Sequence, residues 1–302
     1  MRVHDHARPT TLSGLFVRAV RLTISRRRRG VRRALGWFAA LLLFLVLWLA
    51  GRACGPRSVR VGTFNIENYP KSTTQRDAAL AVIEETGVSA MAVEEIRDPE
   101  LFAEVAKQRL GESWRFVYAN HPAQRVGVLF DSSALRLLST ATHADTELYE
   151  GAKPVFEARL AVGDARPLRI LVVHLRAGAN GRETRARQIE ALARLVGAAG
   201  DDSVVLLGDF NATERADLED LEALAAGAHL TLATSGISCT SYWNRSDGCV
   251  GVTLDHILTT APGTRATVGA ACATEGCASS PSCPAYRDAV SDHCPVWVEV
   301  PL

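Results

Sequence analysis

From about residue 58 onward the chain is a succession of short apolar runs. RVGTFNI, AMAV, RVGVLF, RILVVHL, SVVLLGDF, TLDHIL and PVWVEV are each about the length of a strand, rich in Val, Ile and Leu, and separated by polar or glycine-containing stretches. Two intervening segments space their apolar residues as a helix does. Residues 72–85 carry Leu80 and Ile83 after a Ser/Thr start, and residues 183–199 carry Ile189, Leu192 and Leu195. Elsewhere strands follow one another across turns alone, at Arg115–Tyr118, Val126–Phe130 and Leu135–Ser139. Such mixed connections predict an α/β or α+β sandwich and not a purely parallel Rossmann sheet. No internal repeat or second boundary interrupts residues 58–302, which read as one domain.

Upstream the pattern changes character. Residues 34–51, ALGWFAALLLFLVLWLAG, hold no charge, and eighteen residues at 1.5 Å each give a helix of roughly 27 Å, long enough to cross a bilayer. Trp37 and Trp48 lie near its ends, where indoles favour the lipid–water interface. Ten Arg precede it. The positive-inside rule then predicts a basic cytoplasmic arm at 1–33, a transmembrane anchor at 34–51, a short linker at 52–57 and an extracytoplasmic domain. A signal peptide cleaved after Gly51-Arg52-Ala53 is the alternative reading. The stretch Leu12–Leu22 reads as solvated arm, with an interfacial helix as its rival.

Charge sharpens this division. The net charge of +1 conceals +11 on residues 1–57, which leaves −10 on residues 58–302. An acidic domain has no bulk attraction for polyanions, so any nucleic acid it holds requires local basic residues or bound cations. That argues against a tight DNA binder and leaves a low-affinity hydrolase open. Six of the seven cysteines, Cys239, Cys249, Cys272, Cys277, Cys283 and Cys294, crowd the last quarter. In an exported domain an even cluster predicts three disulfides with fifteen possible pairings, among which Cys239 with Cys249 closes one small loop. A zinc site is the rival, without the paired C-x₂-C spacing it calls for. Neither GxGxxG nor GxxxxGK occurs, so nucleotide-cofactor chemistry lacks support.

Candidate chemistry gathers at strand ends. Asn65, Glu95, His174, Asp209, Asn211 and Asp255 lie at or beside the ends of apolar runs, and Asp292 and His293 precede the last one. Each alone reads as a turn former; together they describe one rim of a sheet, where side chains converge on a rigid frame. Asp209 and Asn211, two apart on an extended chain, project to one side. Gly208 stands where a backbone must approach closely.

In order, VGTFNIEN, AMAVEEI, RVGVLFD, VVHLRAG followed by Arg187 and Gln188, VVLLGDFN, LDHIL and SDHCPV resemble the endonuclease/exonuclease/phosphatase superfamily across residues 61–296. The resemblance implies the fold of pancreatic deoxyribonuclease, an α/β four-layer sandwich of two mixed β-sheets flanked by helices. It also implies roles. Glu95 is the principal Mg²⁺ ligand, with Mn²⁺ as a substitute, Asn65 stands beside it and Asp292 completes or approaches the metal site. Asp209 and Asn211 orient the attacking water and the scissile phosphate. His293 is the catalytic His, held by Asp255, and His174 serves the leaving oxygen. Deoxyribonuclease-like enzymes support that second His with a Glu where this chain has Gln124, so its role here is open. Glu67 is set aside as a turn residue. The expected activity is hydrolysis of phosphodiester bonds, foremost as an extracytoplasmic endonuclease. A phospholipid or sphingolipid phosphodiesterase and a catalytically inactive envelope-binding protein are the alternatives. The expected partners are a nucleic-acid or phospholipid substrate and the membrane through 34–51, with no protein partner. In the segment 238–250, Tyr242, Trp243 and Arg245 read as exposed substrate contacts, with loop packing as the rival.

Overall fold

The computed structural model describes Trp37 and residues 41–46, 58–200 and 202–301. Of the predicted anchor, Trp37 and the helical stretch Leu41–Val46 are described, with exposed apolar side chains. The remainder of 34–51, the arm 1–33 and the linker 52–57 lie outside the described residues. Among the described residues no helix is long and apolar enough to cross a membrane.

The Val- and Ile-rich runs pair into two six-stranded sheets. The first has the order β13 (Thr267–Val268), β14 (Val296–Pro301), β1 (Ser58–Tyr69), β2 (Ala90–Ile96), β4 (Arg125–Asp131) and β3 (Trp114–Tyr118). The second has the order β5 (Arg136–His143), β6 (Val155–Ala161), β7 (Leu168–His174), β8 (Ser203–Asp209), β12 (Asp255–Thr259) and β9 (Thr231–Leu232). Each sheet contains one parallel pair, β1 with β2 and β7 with β8, and is otherwise antiparallel.

Parallel neighbours need a crossover, and the two segments with helical spacing supply it. Helix α1 (Thr73–Thr86) starts where the Ser72 side chain accepts from the Gln75 backbone N–H and stops at Gly87 in the left-handed region. Helix α2 (Pro99–Leu110) follows β2, capped by Asp98 with Pro99 in its first turn. Helix α3 (Arg182–Gly197) joins β7 to β8, and helix α4 (Arg215–Gly227) opens on a reciprocal cap between Glu214 and Asp217. Helices α2 and α4 space their apolar residues in the same way, at Leu101, Phe102 and Val105 and at Leu218, Leu221 and Leu224, and add to the two predicted helices.

The sheets face each other across Val61, Ala92 and Val128 on one side and Leu160, Ile170, Val172 and Ile257 on the other. Their outer faces carry the alternate residues. Phe64, Met91 and Leu129 pack against Leu80, Ile83 and Phe102 of α1 and α2, and Leu171 and Leu206 against Ile189, Leu192, Leu221 and Leu224 of α3 and α4. Four layers result, as expected. Because both faces of each sheet are covered, the central strands read as continuous apolar runs.

A smaller lobe builds on the rim. Residues 238–250 are not a loop; most of them form the hairpin β10 (Ser241–Arg245) and β11 (Gly248–Val252). The short helices α5 (Ala270–Thr274) and α6 (Ala285–Ala289) pack beside it. Three disulfides form, Cys239–Cys277, Cys249–Cys283 and Cys272–Cys294. The closure of a small loop by Cys239 and Cys249 is thereby corrected. The hairpin's own ladder already closes that segment, and each of its cysteines faces the 270–294 stretch instead, as the backbone bridge between Cys249 and Ser280 shows.

Candidate active site

Strand register brings the rim together. Asp209 lies opposite His174 on one side and Asp255 on the other, while Asn65 of the first sheet lies opposite Glu94. The close approach at Gly208 is real: its φ is +139°, and a Cβ there would lie 2.0 Å from the Val173 carbonyl oxygen. Only glycine lets β8 lie this close to β7 while presenting Asp209 at its end.

His293 and Asp255 are the tightest pair, with Nδ1 and Oδ2 2.8 Å apart and both residues buried. Burial alone would lower the His293 pKa. The carboxylates of Asp255 and Asp209 outweigh it and raise it well above the ordinary value, so the ring is an imidazolium at neutral pH. Its other nitrogen, Nε2, lies 3.9 Å from Asp209 Oδ2 and 4.0 Å from Asp292 Oδ1. Asp209 is pushed up to about 7, chiefly by burial, against the pull of His293. Asn211 donates its backbone N–H to Asp209 Oδ1 at 2.9 Å and its amide to the Leu175 carbonyl at 3.2 Å. The juxtaposition of Asp209 and Asn211 therefore does not come from strand alternation: β8 ends at Asp209, and Asn211 turns back with φ +50°.

The Glu95 carboxylate is held by neutral groups. Oε2 accepts from the Asn68 backbone N–H at 3.1 Å and from Gln124 Nε2 at 2.9 Å, and Oε1 from Asn65 Nδ2 at 3.3 Å. Asn65 also donates to Asp209 Oδ2 at 3.2 Å, which links the two halves of the site. Backbone strain concentrates here. Of six non-glycine residues with positive φ among the described residues, Glu67, Asn68, Glu95 and Asn211 belong to this rim, a distribution expected where function fixes geometry against local preference.

His174 is buried and close to both halves, with Nε2 3.6 Å from Asp209 Oδ2 and 3.9 Å from Glu95 Oε1. Burial, then the charges of Lys153 and His293, push its pKa well down, so it is a neutral imidazole. Its Nδ1 has no hydrogen-bond partner among the described residues. Gln124 braces Glu95 and Asn68, not His174.

Several functional neighbours had no sequence signal of their own. Ser291 donates to the Asn65 carbonyl and accepts from the His293 N–H, tying the SDHC segment to β1. Glu67, set aside as a turn residue, accepts from the Asp292 N–H. Thr240 Oγ accepts from the Leu254 and Asp255 N–H groups, and its carbonyl accepts from the Cys294 N–H. Glu94 is fully buried, bonded by Thr63, and raised well above the usual carboxylate range by burial first and Asp255 second. Behind the rim the buried hub is Arg185, not the exposed Arg187. It forms two hydrogen bonds to Asp217 and donates to the carbonyls of Arg176 and Gly178. Gln188 alone of the singled-out pair is engaged, accepting from the Arg176 N–H.

The aromatic prediction divides. Tyr242 is not an exposed substrate contact: it is buried in the disulfide lobe and donates its hydroxyl to the Gly276 carbonyl, because the hairpin turns it inward. Trp243 is half-buried and Arg245 exposed on the same strand.

Two places can hold a cation. Asp209, Asp255 and His293 present ligand atoms within 4.8 Å of one another, with His293 Nδ1 engaged by Asp255. The Glu95 carboxylate, 17% exposed, is an oxygen ligand of the type a hard divalent ion takes; Asn65 turns its amide nitrogen to it while its Oδ1 accepts from the Glu67 N–H.

The sequence matches the model of the Endonuclease/Exonuclease/phosphatase family over residues 62–293. No curated protein matches it by sequence. Solved structures of similar fold include D. rerio TDP2 complexed with a single-strand DNA product, with 13% identity, a TM-score of 0.62, and 80% of this chain and 98% of that one covered. The human Nocturnin catalytic domain with bound sulfate is similar at 17% identity and TM-score 0.58, covering 80% and 94%. So is the Bacteroides thetaiotaomicron mannosyl-6-phosphatase Bt3783, at 12% identity and TM-score 0.57, covering 81% and 100%.

Proposed function

This chain belongs to the Endonuclease/Exonuclease/phosphatase family, hydrolases of phosphoester bonds, and from that premise we propose that it cleaves nucleic-acid phosphodiesters outside the cytoplasm with Mg²⁺, or Mn²⁺ in its place. The observation that carries this reading is the convergence of the His293–Asp255 pair, Asp209 and Asn211 beside a Glu95 carboxylate held only by neutral donors. A nucleic-acid substrate has the support of the similar fold that holds a single-strand DNA product. Export has the support of three disulfides, which persist in oxidising compartments.

Glu95, with Asn65 and Asp292, would hold the cation. When bound, it would polarise a phosphoryl oxygen and offset developing negative charge. Asp209, ionised above about pH 7, accepts a proton from the attacking water. Asn211, fixed by its bond to Leu175, orients that water and the phosphate. The His293 imidazolium, kept charged by Asp255, places positive charge against the phosphoryl oxygens as the pentacovalent state forms. His174, neutral and 3.6 Å from Asp209 on its other flank, can relay to the leaving oxygen the proton that Asp209 took from the attacking water, accepting it on one ring nitrogen and giving one up to the leaving oxygen.

The test is the full chain incubated with Mg²⁺ or Mn²⁺ against single-stranded DNA, duplex DNA, RNA and phospholipid vesicles. Cleavage of a nucleic acid that His293→Ala abolishes is expected. Cleavage of the lipid alone, or of nothing, overturns the nuclease reading.

A further inference from the structure

β6 runs antiparallel to β7 with Phe156 opposite Val172, so the residues just before β6 arrive at the rim where His174 and Asp209 end their strands. Lys153 stands there, half-buried. Its charge is felt by Glu95, Asp209, Arg176 and the His174 ring, which all lie near it. The close ion contacts of this rim join His174 to Glu95 and Asp209 and, among the described residues, leave Lys153 and Arg176 without an acidic partner. A half-desolvated ammonium with structural work alone would be expected in an ion pair.

Arg176 is fixed from behind. Its N–H donates to Gln188 at 3.0 Å, its carbonyl accepts from Arg185 at 2.9 Å, and its guanidinium lies 4.6 Å from the centre of the Tyr149 ring. Tyr149 opens a tight turn closed by the Ala152 N–H on its carbonyl, and Lys153 directly follows that turn. Two positioned cations thus flank the His174 side of a strongly acidic rim. They are local basic residues of the type that a domain of charge −10 requires to hold a polyanion.

We propose that Lys153 and Arg176 form a subsite for a phosphate other than the scissile one, with Tyr149 as the platform that keeps the guanidinium in place. The proposal rests on the nuclease reading and narrows it: the substrate is a strand carrying at least two phosphates, gripped by charge and without base preference at this position. A substrate with a single phosphodiester does not reach the subsite.

The test compares the wild-type full chain with Lys153→Ala, Arg176→Ala and Lys153→Arg on two substrates, a single-stranded tetranucleotide and bis(p-nitrophenyl) phosphate, over a salt series. Binding of a labelled tetranucleotide with Ca²⁺ in place of Mg²⁺ is followed alongside by fluorescence anisotropy. Each Ala variant is expected to lose several-fold in kcat/KM and affinity on the tetranucleotide and to flatten the log–log salt dependence by about 0.7. Arg176→Ala should keep wild-type turnover of bis(p-nitrophenyl) phosphate, Lys153→Ala should lose much less on it than on the tetranucleotide, and Lys153→Arg should restore the tetranucleotide. Equal losses on both substrates, or none on either, overturn the subsite. If the wild type hydrolyses bis(p-nitrophenyl) phosphate but neither binds nor cleaves the tetranucleotide, the subsite fails and phosphoester chemistry stands. If the tetranucleotide binds through Lys153 and Arg176 but is not cleaved, the nuclease reading fails and the subsite stands.

Discussion

In the proposed mechanism His293 and Asp255 act through one contact, Nδ1 to Oδ2. Removing a group that carries charge or a proton in the transition state typically costs about 10² to 10⁴-fold in rate. His293→Ala is expected in that range, and adding Asp255→Asn should cost little more, because the two form a unit. The measurement is kcat/KM with melting temperature beside it; a purely structural His293 would lower the second and spare the first. Asp209 sets the pH response. Its pKa of about 7 lies above the ordinary 3.8, so kcat/KM should rise with pH through neutrality as the carboxylate ionises. The stability effect has the opposite sign. The folded state holds the Asp209 proton more tightly than the unfolded chain does, so the metal-free protein should lose stability as pH climbs from about 4 to about 7. The stabilisation from the His293 cation is complete below the ordinary 6.5 and is lost only as pH passes its higher folded pKa. Asp209→Asn should flatten the Asp209 part of the decline in a melting series with EDTA. At Glu95, Gln keeps the size and removes the ligand charge. Glu95→Gln should weaken Mg²⁺ activation while leaving the melting temperature in EDTA near wild type; unchanged turnover would reduce Glu95 to a turn residue.

At the scale of elements, the site is a junction between sheet rims and the disulfide lobe. Thr240, one residue from Cys239, holds both Asp255 and Cys294, and His293 precedes Cys294 directly. The bonds Cys239–Cys277 and Cys272–Cys294 therefore clamp the two halves of the His–Asp pair, whereas Cys249–Cys283 ties the hairpin to the 280s without contacting either half. Replacing Cys272 and Cys294 together by Ser should depress kcat/KM well beyond what the Cys249/Cys283 pair of Ser substitutions does. The comparison is made at a temperature where far-ultraviolet circular dichroism shows both folded, and equal activities would show that the clamp is irrelevant. The α3–α4 junction depends on a different device. Arg185 and Asp217 are both buried and mutually satisfied, and removing one partner of such a pair typically costs about 3–5 kcal/mol. Arg185→Ala should lower the midpoint of urea unfolding by a corresponding amount.

At the scale of the whole chain, charge and cysteine use point the same way. The basic residues concentrate before residue 58, and the cysteines that form disulfides lie in the acidic remainder. If the domain is exported, a reporter active only outside the cytoplasm should work when fused after Leu302, and one active only inside should not. The reverse result would overturn export.

A sandwich with mixed strand connections and a rim carrying Asn65, Glu95, His174, Asp209, Asp255 and His293 were legible along the chain, because strand period and apolar runs are local properties and strand ends are where polar residues break them; the two-sheet, four-layer order came with the family resemblance. Three paired cysteine bridges were legible as a number. Their partners were not, since pairing depends on which backbones lie about 5–6 Å apart after folding. Gln124 beside Glu95, Thr240 beneath Asp255, Arg185 behind Arg176 and the buried face of Tyr242 follow from register and packing between segments 9 to 34 residues apart along the chain. No local pattern encodes such contacts, because each exists only once both sheets and the disulfide lobe have closed around the same rim.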